Sequence, residues 1–121
     1  MHKREAILVM LLVTLAVCLS GCLAEAVGVD GNLEVIRAER ITEVYEASRK
    51  AVGQLEYLIV DSRKDATSAN VTARDSKDQK VTVNLKATPE GPTAISIHVG
   101  TWGDQTQSTV IWNKIKENLE Q

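Results

Sequence analysis

Histidine, cysteine and strong net charge are scarce in this chain, and each scarcity removes a class of chemistry. The 121 residues contain two histidines and two cysteines, both cysteines within the first 22 positions. Beyond the amino-terminal segment only His98 remains, so a histidine-containing metal cluster is not expected. A serine or cysteine nucleophile would have to find its base at that one residue. Asp75 and Asp78 flank a hairpin tip, without EF-hand spacing or a run of oxygen ligands for calcium. There is no glycine-rich phosphate loop. The net charge of −2 and the lack of a basic face with interleaved aromatics argue against a nucleic-acid partner. The expectation is therefore no metal, no cofactor, no catalytic residue and no enzyme.

What the chain does have begins at its first residues. Lys3 and Arg4 precede an uncharged apolar run from Ala6 to Leu19. As a helix that run would rise about 21 Å at 1.5 Å per residue. This is short of the roughly 30 Å hydrocarbon layer, and it fits an export signal better than a membrane span. The run ends in Leu19-Ser20-Gly21-Cys22, which resembles the lipobox of bacterial lipoproteins. Ser20 and Gly21 are small enough for an extended backbone to enter a peptidase cleft, and the Cys22 thiolate is the nucleophile that accepts a diacylglyceryl group. Cys18 follows the bulky, β-branched Val17 and is the poorer candidate. Leu19, Ser20 and Gly21 are thus the expected peptidase recognition residues and Cys22 the expected lipidation site.

Three segments follow from this reading: a signal peptide over 1–21, a lipidated terminus and short tether over 22–31, and one α+β domain over 32–121. Cleavage leaves about 100 residues with twelve Lys and Arg against fifteen Asp and Glu, and no free thiol. A domain of that size can fold on its core alone. The partner expected first is a membrane, held through lipid at Cys22, since two or three acyl chains anchor firmly where one does not. The expected address is the cell envelope, at the outer membrane and facing the periplasm, because Leu23 rather than Asp follows the anchor.

Residues 32–37 read as a first strand. Ile41, Val44, Tyr45, Ser48, Ala51, Val52 and Leu55 then share one helical stripe, with Thr42 as the expected N-cap. Four strands come next. Val81, Val83 and Leu85 oppose Thr82, Asn84 and Lys86, while Ile95, Ile97 and Val99 oppose Ser96, His98 and Gly100. Thr88-Pro89-Glu90-Gly91 is turn chemistry between the last two. Asp104, with Gln107 three residues on, has the pattern of a capping box for a final helix carrying Ile111, Ile115 and Leu119. The order strand, helix, four strands, helix predicts a two-layer α+β sandwich, an antiparallel sheet with both helices on one face.

The lipobox, the helix after a first strand, the alternating KVTVNLKA strand and the step Gly100-Thr101-Trp102-Gly103-Asp104 into a last helix resemble a family of small bacterial lipoproteins of unknown function, the domain of unknown function 3568 family. The resemblance covers nearly the whole mature chain and supplies no catalytic residues. It implies a glycine after the first helix, where this chain has Glu56.

Candidate binding residues come from breaks in pattern. Tyr57-Leu58-Ile59-Val60 is apolar without alternation. If Tyr57 and Ile59 point to the helices, Leu58 and Val60 lie on the polar face near Thr72, Asn84, Lys86 or His98, unless the tether or first strand covers them. Trp102 is expected to pack under the helix it introduces, the alternative being an exposed recognition anchor. Trp112 is expected to border the core. His98 reads as a strand residue with a hydrogen-bond partner rather than a base. The function expected is a non-enzymatic envelope lipoprotein that binds a protein or envelope component through its sheet face or edge. A small-ligand carrier or a hydrolase using His98 is the alternative.

Replacing Cys22 with Ser is expected to abolish metabolic fatty-acid labelling and leave the precursor uncleaved, whereas Cys18→Ser changes neither. Labelling that survives loss of Cys22 contradicts the lipobox reading.

Overall fold

Strict alternation of apolar and polar residues gives this molecule its shape, because a strand turns successive side chains to opposite faces. The computed structural model describes Ala26–Val27 and residues 32–121. Leu19, Ser20, Gly21 and Cys22 lie outside the described residues, as does most of the 22–31 tether. Ala26–Val27 forms a short strand β1, antiparallel to β2 (Leu33–Arg37), so this part of the expected tether is sheet. Helix α1 spans Ile41–Gln54. Strands β3 (Leu58–Lys64), β4 (Ser68–Arg74), β5 (Lys80–Ala87) and β6 (Thr93–Val99) follow, and helix α2 (Gln105–Leu119) closes the chain.

All pairings are antiparallel, in the spatial order β1-β2-β6-β5-β4-β3. The expected α+β class holds, with β1 as an additional element. Strands β3 to β6 form a meander, and β2 joins the far side of β6, so α1 carries the chain across the sheet from β2 to β3.

The inner face is dry. Leu33 and Val35, Val71 and Ala73, Val81, Val83 and Leu85, and Ile95, Ile97 and Val99 are all buried. Helix α1 lies against β3, β4 and β5, and α2 against β6 and β2, with the helices also touching each other. From α1 come Val44, Tyr45, Ala51 and Val52; from α2, Ile111, Trp112 and Ile115. Trp112 is fully buried rather than bordering the core, and the Arg37 guanidinium lies 5.7 Å from its ring centre. Truncating any of the larger side chains here should cost about 2–5 kcal/mol.

The helix ends show how local sequence sets the boundaries. Helix α1 begins after Arg40, two residues earlier than a Thr42 cap requires, and Arg40 makes no side-chain cap bond. Burial of Ile41 holds the start there, and the Thr93 hydroxyl donates to the Glu39 carbonyl at 2.8 Å. Asp104 does cap α2, its carboxylate accepting from the Gln107 N–H at 3.0 Å. The Gln107 side chain does not complete the box. Its amide donates to the Tyr57 hydroxyl, which fastens the first turn of α2 to the entry of β3.

The end of α1 carries the main departure from ordinary backbone preference. Glu56 N–H donates to the Gly53 carbonyl at 3.0 Å and Tyr57 N–H to the Val52 carbonyl at 3.1 Å. These two bonds are the Schellman arrangement, which requires the residue after the C-cap to be left-handed. That residue is Glu56, with φ +62°. A side chain there costs about 1–2 kcal/mol, partly offset by the greater freedom glycine has in the unfolded chain. Glu56→Gly is therefore expected to raise stability by about 0.5–1 kcal/mol in denaturant unfolding, with Glu56→Ala near neutral. A glycine variant no more stable than the alanine variant contradicts this account of the turn.

Candidate partner-binding face

The outer face of the sheet is built from the polar half of each alternation, and no described helix covers it. Register fixes its rows. One runs Arg63, Asn70, Asn84, Ser96, Glu34 from β3 to β2; the next runs Asp61, Thr72, Thr82, His98. Lys86 stands between Ser68 and Ala94, with Ile36 beyond. Thr72, Asn84, Lys86 and His98 thus share this face, as their alternation predicts. An open concavity crosses it, lined by Ile36, Ala94, Lys86, Asn84, Asn70 and Arg63 among others.

His98 and Asn32 are hydrogen-bonded through Nδ1 and Oδ1, the amide oxygen accepting. Beside His98 on β5 stands Thr82. Asn70 Nδ2 reaches Asn84 Oδ1 at 3.5 Å, at the edge of hydrogen-bonding distance.

Leu58 and Val60 are exposed, at 68% and 53%. Tyr57 and Ile59 pack against the core, as expected. Two parts of the expectation change. First, β3 is an edge strand three positions from β6, so Leu58 lies opposite Arg74 and far from His98. Second, the register shifts between Ile59 and Asp61, which makes Val60 the extra residue of a β-bulge and gives its outer-face position to Asp61. Neither the described part of the tether nor the first strand covers these residues, since β1 and β2 form the opposite side of the sheet.

Trp102 is 89% exposed and does not pack under α2. Gly100 and Gly103, with φ of +73° and +82°, turn the chain sharply on either side of it. Beneath the helix it is Trp112 that is buried. Ile36, 61% exposed on the outer face, is absent from the expected set. The alternation of Leu33-Glu34-Val35-Ile36 carried that signal, with burial pattern buried, exposed, buried, exposed.

Several ionisable groups around the sheet are engaged in local structure. The Asp65 carboxylate accepts from the N–H groups of Thr67 and Ser68 at 2.8 and 2.7 Å, bonds that favour its ionised form and hold its pKa below the usual carboxylate value. Asp75 accepts from the N–H groups of Lys77 and Gln79, both at 2.9 Å, so its role is to close the β4–β5 turn. Glu39 is held low by the bidentate Arg37 guanidinium, at 2.8 and 3.1 Å. Burial pushes the Tyr57 phenol up, with Asp75 and Asp104 adding to it. Among the described residues no three His, Cys, Asp or Glu side chains gather as a metal site.

The chain belongs to a family described as "Protein of unknown function (DUF3568)". The family model matches residues 5–118, which takes in the whole apolar run from Ala6 to Leu19 and nearly all of the domain. No curated protein matches the chain.

Proposed function

We propose that this DUF3568 protein is a non-enzymatic lipoprotein of the cell envelope, anchored by lipid at Cys22, that binds a protein or envelope component through its outer sheet face or edge. The observation that carries the binding role is the state of that face. It is open, polar in most rows, and carries the exposed apolar side chains of Ile36 and Leu58, with Val60 exposed at the bulge of the β3 edge. Apolar anchors within a polar rim are the composition of a protein-binding surface. The anchoring role is supported by the basic start, the short apolar run and the Leu19-Ser20-Gly21-Cys22 ending. The family match runs from residue 5 through the domain, which supports reading leader and domain as one unit. Localisation at the outer membrane, facing the periplasm, follows from Leu23 and is proposed on that basis alone. A small-ligand carrier is the second reading, and the concavity of about 1050 Å³ on the outer face is the observation that favours it.

Combining Leu58→Ser with Val60→Ser tests the binding role. Both side chains are exposed, so unfolding free energy should change by no more than about 1 kcal/mol, while partners cross-linked from membranes to the native chain are lost. A drop of several kcal/mol shows that these residues are core; unchanged cross-linking shows that the partner lies elsewhere.

A further inference from the structure

The free flank of β3 carries a self-complementary pattern that neither the lipid anchor nor the proposed partner explains. β3 pairs only with β4 among the described residues. The Asp65 N–H donates to the Ser68 carbonyl at 2.8 Å, so the Asp65 backbone faces β4. Because backbone groups alternate in direction along an antiparallel strand, Arg63 and Asp61 face β4 as well. The backbone groups of Ser62 and Lys64 then point away from the sheet. Arg63, Lys64 and the bulge at Val60 are the devices that keep an edge from pairing with arbitrary strands. They leave one strand that does fit.

We infer that the occupant of this edge is a second copy of the same chain, its β3 antiparallel to the first about a two-fold axis at Ser62. Any register whose axis passes through a residue keeps the polar faces of the two sheets on the same side, and near the middle of β3 that residue is Asp61, Ser62 or Arg63. An axis at Asp61 sets the two aspartates against each other, and one at Arg63 does the same with two arginines. With the axis at Ser62, Asp61 of each copy faces Arg63 of the other. The outward Ser62 backbone groups exchange both N–H···O=C bonds with their counterparts. The Asp61–Arg63 positions become the closely spaced, non-hydrogen-bonded pairs, where opposite charges interact best. Within one chain Arg63 Nε already lies 3.2 Å from Asp61 Oδ2, both side chains well exposed, so dimerisation turns a local ion pair into a four-charge cluster. Pairing over so few residues falls at the small end of specific interfaces. The dimer is therefore weak in solution, with a dissociation constant of about micromolar to millimolar, and it gains from any tether that raises local concentration.

Sedimentation of the full chain in density-matched detergent micelles, at concentrations up to about 1 mM, tests the inference. The native chain is expected to show a monomer–dimer equilibrium. Asp61→Arg should weaken it about tenfold or more, because like charges then face each other twice. Adding Arg63→Asp to Asp61→Arg restores the complementary pattern and should restore the dimer. Circular dichroism confirms that each variant is folded. In a chain whose Cys18 and Cys22 are replaced by Ser, Ser62→Cys should form a disulfide-linked dimer under mild oxidation, while Asn84→Cys does not. A chain that stays monomeric throughout the range overturns the inference. So does a dimer indifferent to Asp61→Arg, or one that the double exchange fails to rescue.

Discussion

The sheet has one dry face and two helices to cover it, and the rest of the structure follows from that constraint. Val81, Val83, Leu85, Ile95, Ile97 and Val99 form the middle of an apolar surface that two antiparallel neighbours cannot shield from each other's solvent. Burying it is the main favourable term in folding a chain of this size, which the proposed lipidation would leave without a disulfide. Helices α1 and α2 meet that need side by side, and Asn118 stitches them, its Nδ2 donating to the Ala47 carbonyl at 3.2 Å and to Gln54 Oε1 at 3.0 Å. Once both helices are committed to the inner face, no described helix remains for the outer one. The polar half of each strand stays in water by the same alternation that makes the other half dry.

This constraint also explains which features could be read from residues in order. β5 and β6 alternate so regularly that their facing sides needed no further information, and Ile41, Val44, Ala51 and Val52 mark the buried stripe of α1 at helical spacing. The Asp104 cap was equally local. Features decided by distant contacts were not legible. Nothing in Leu33 to Arg37 says that β2 lies beside β6, on the opposite side of the sheet from β3. The bulge at Val60 depends on how Ile59 and Asp61 meet β4, and it moved Val60 out of the row that simple alternation assigns to it. Trp102 and Trp112 are ten positions apart and chemically identical, yet only the packing of α2 determines that the second is buried and the first exposed.

Glu56 joins the sequence comparison to the backbone. The family resemblance implies glycine at that position, and the Schellman turn shows why glycine suits it: the backbone is left-handed whatever the side chain. The turn is retained because it delivers Tyr57 to the Gln107 side chain and Ile59 to the core, contacts that outweigh the cost of an unfavourable φ. The candidate site was legible in part for the same reason that the fold was. Thr72, Asn84, Lys86 and His98 could be assigned to one face by period alone, whereas their distances from Leu58 and Val60 depended on strand order.

No described helix covers the outer sheet face, and the proposed binding role requires that face to be open in the folded protein. Thiol labelling measures this directly, using chains in which Cys18 and Cys22 are replaced by Ser and a single cysteine stands at the middle of β5. Asn84→Cys, on the outer face, should react in the native state at nearly the rate of the denatured chain, while Val83→Cys, on the inner face, should be protected until the protein unfolds. Strong protection of Asn84→Cys in the native monomer would rule out an open face, because another part of the chain would then cover the surface proposed for a partner.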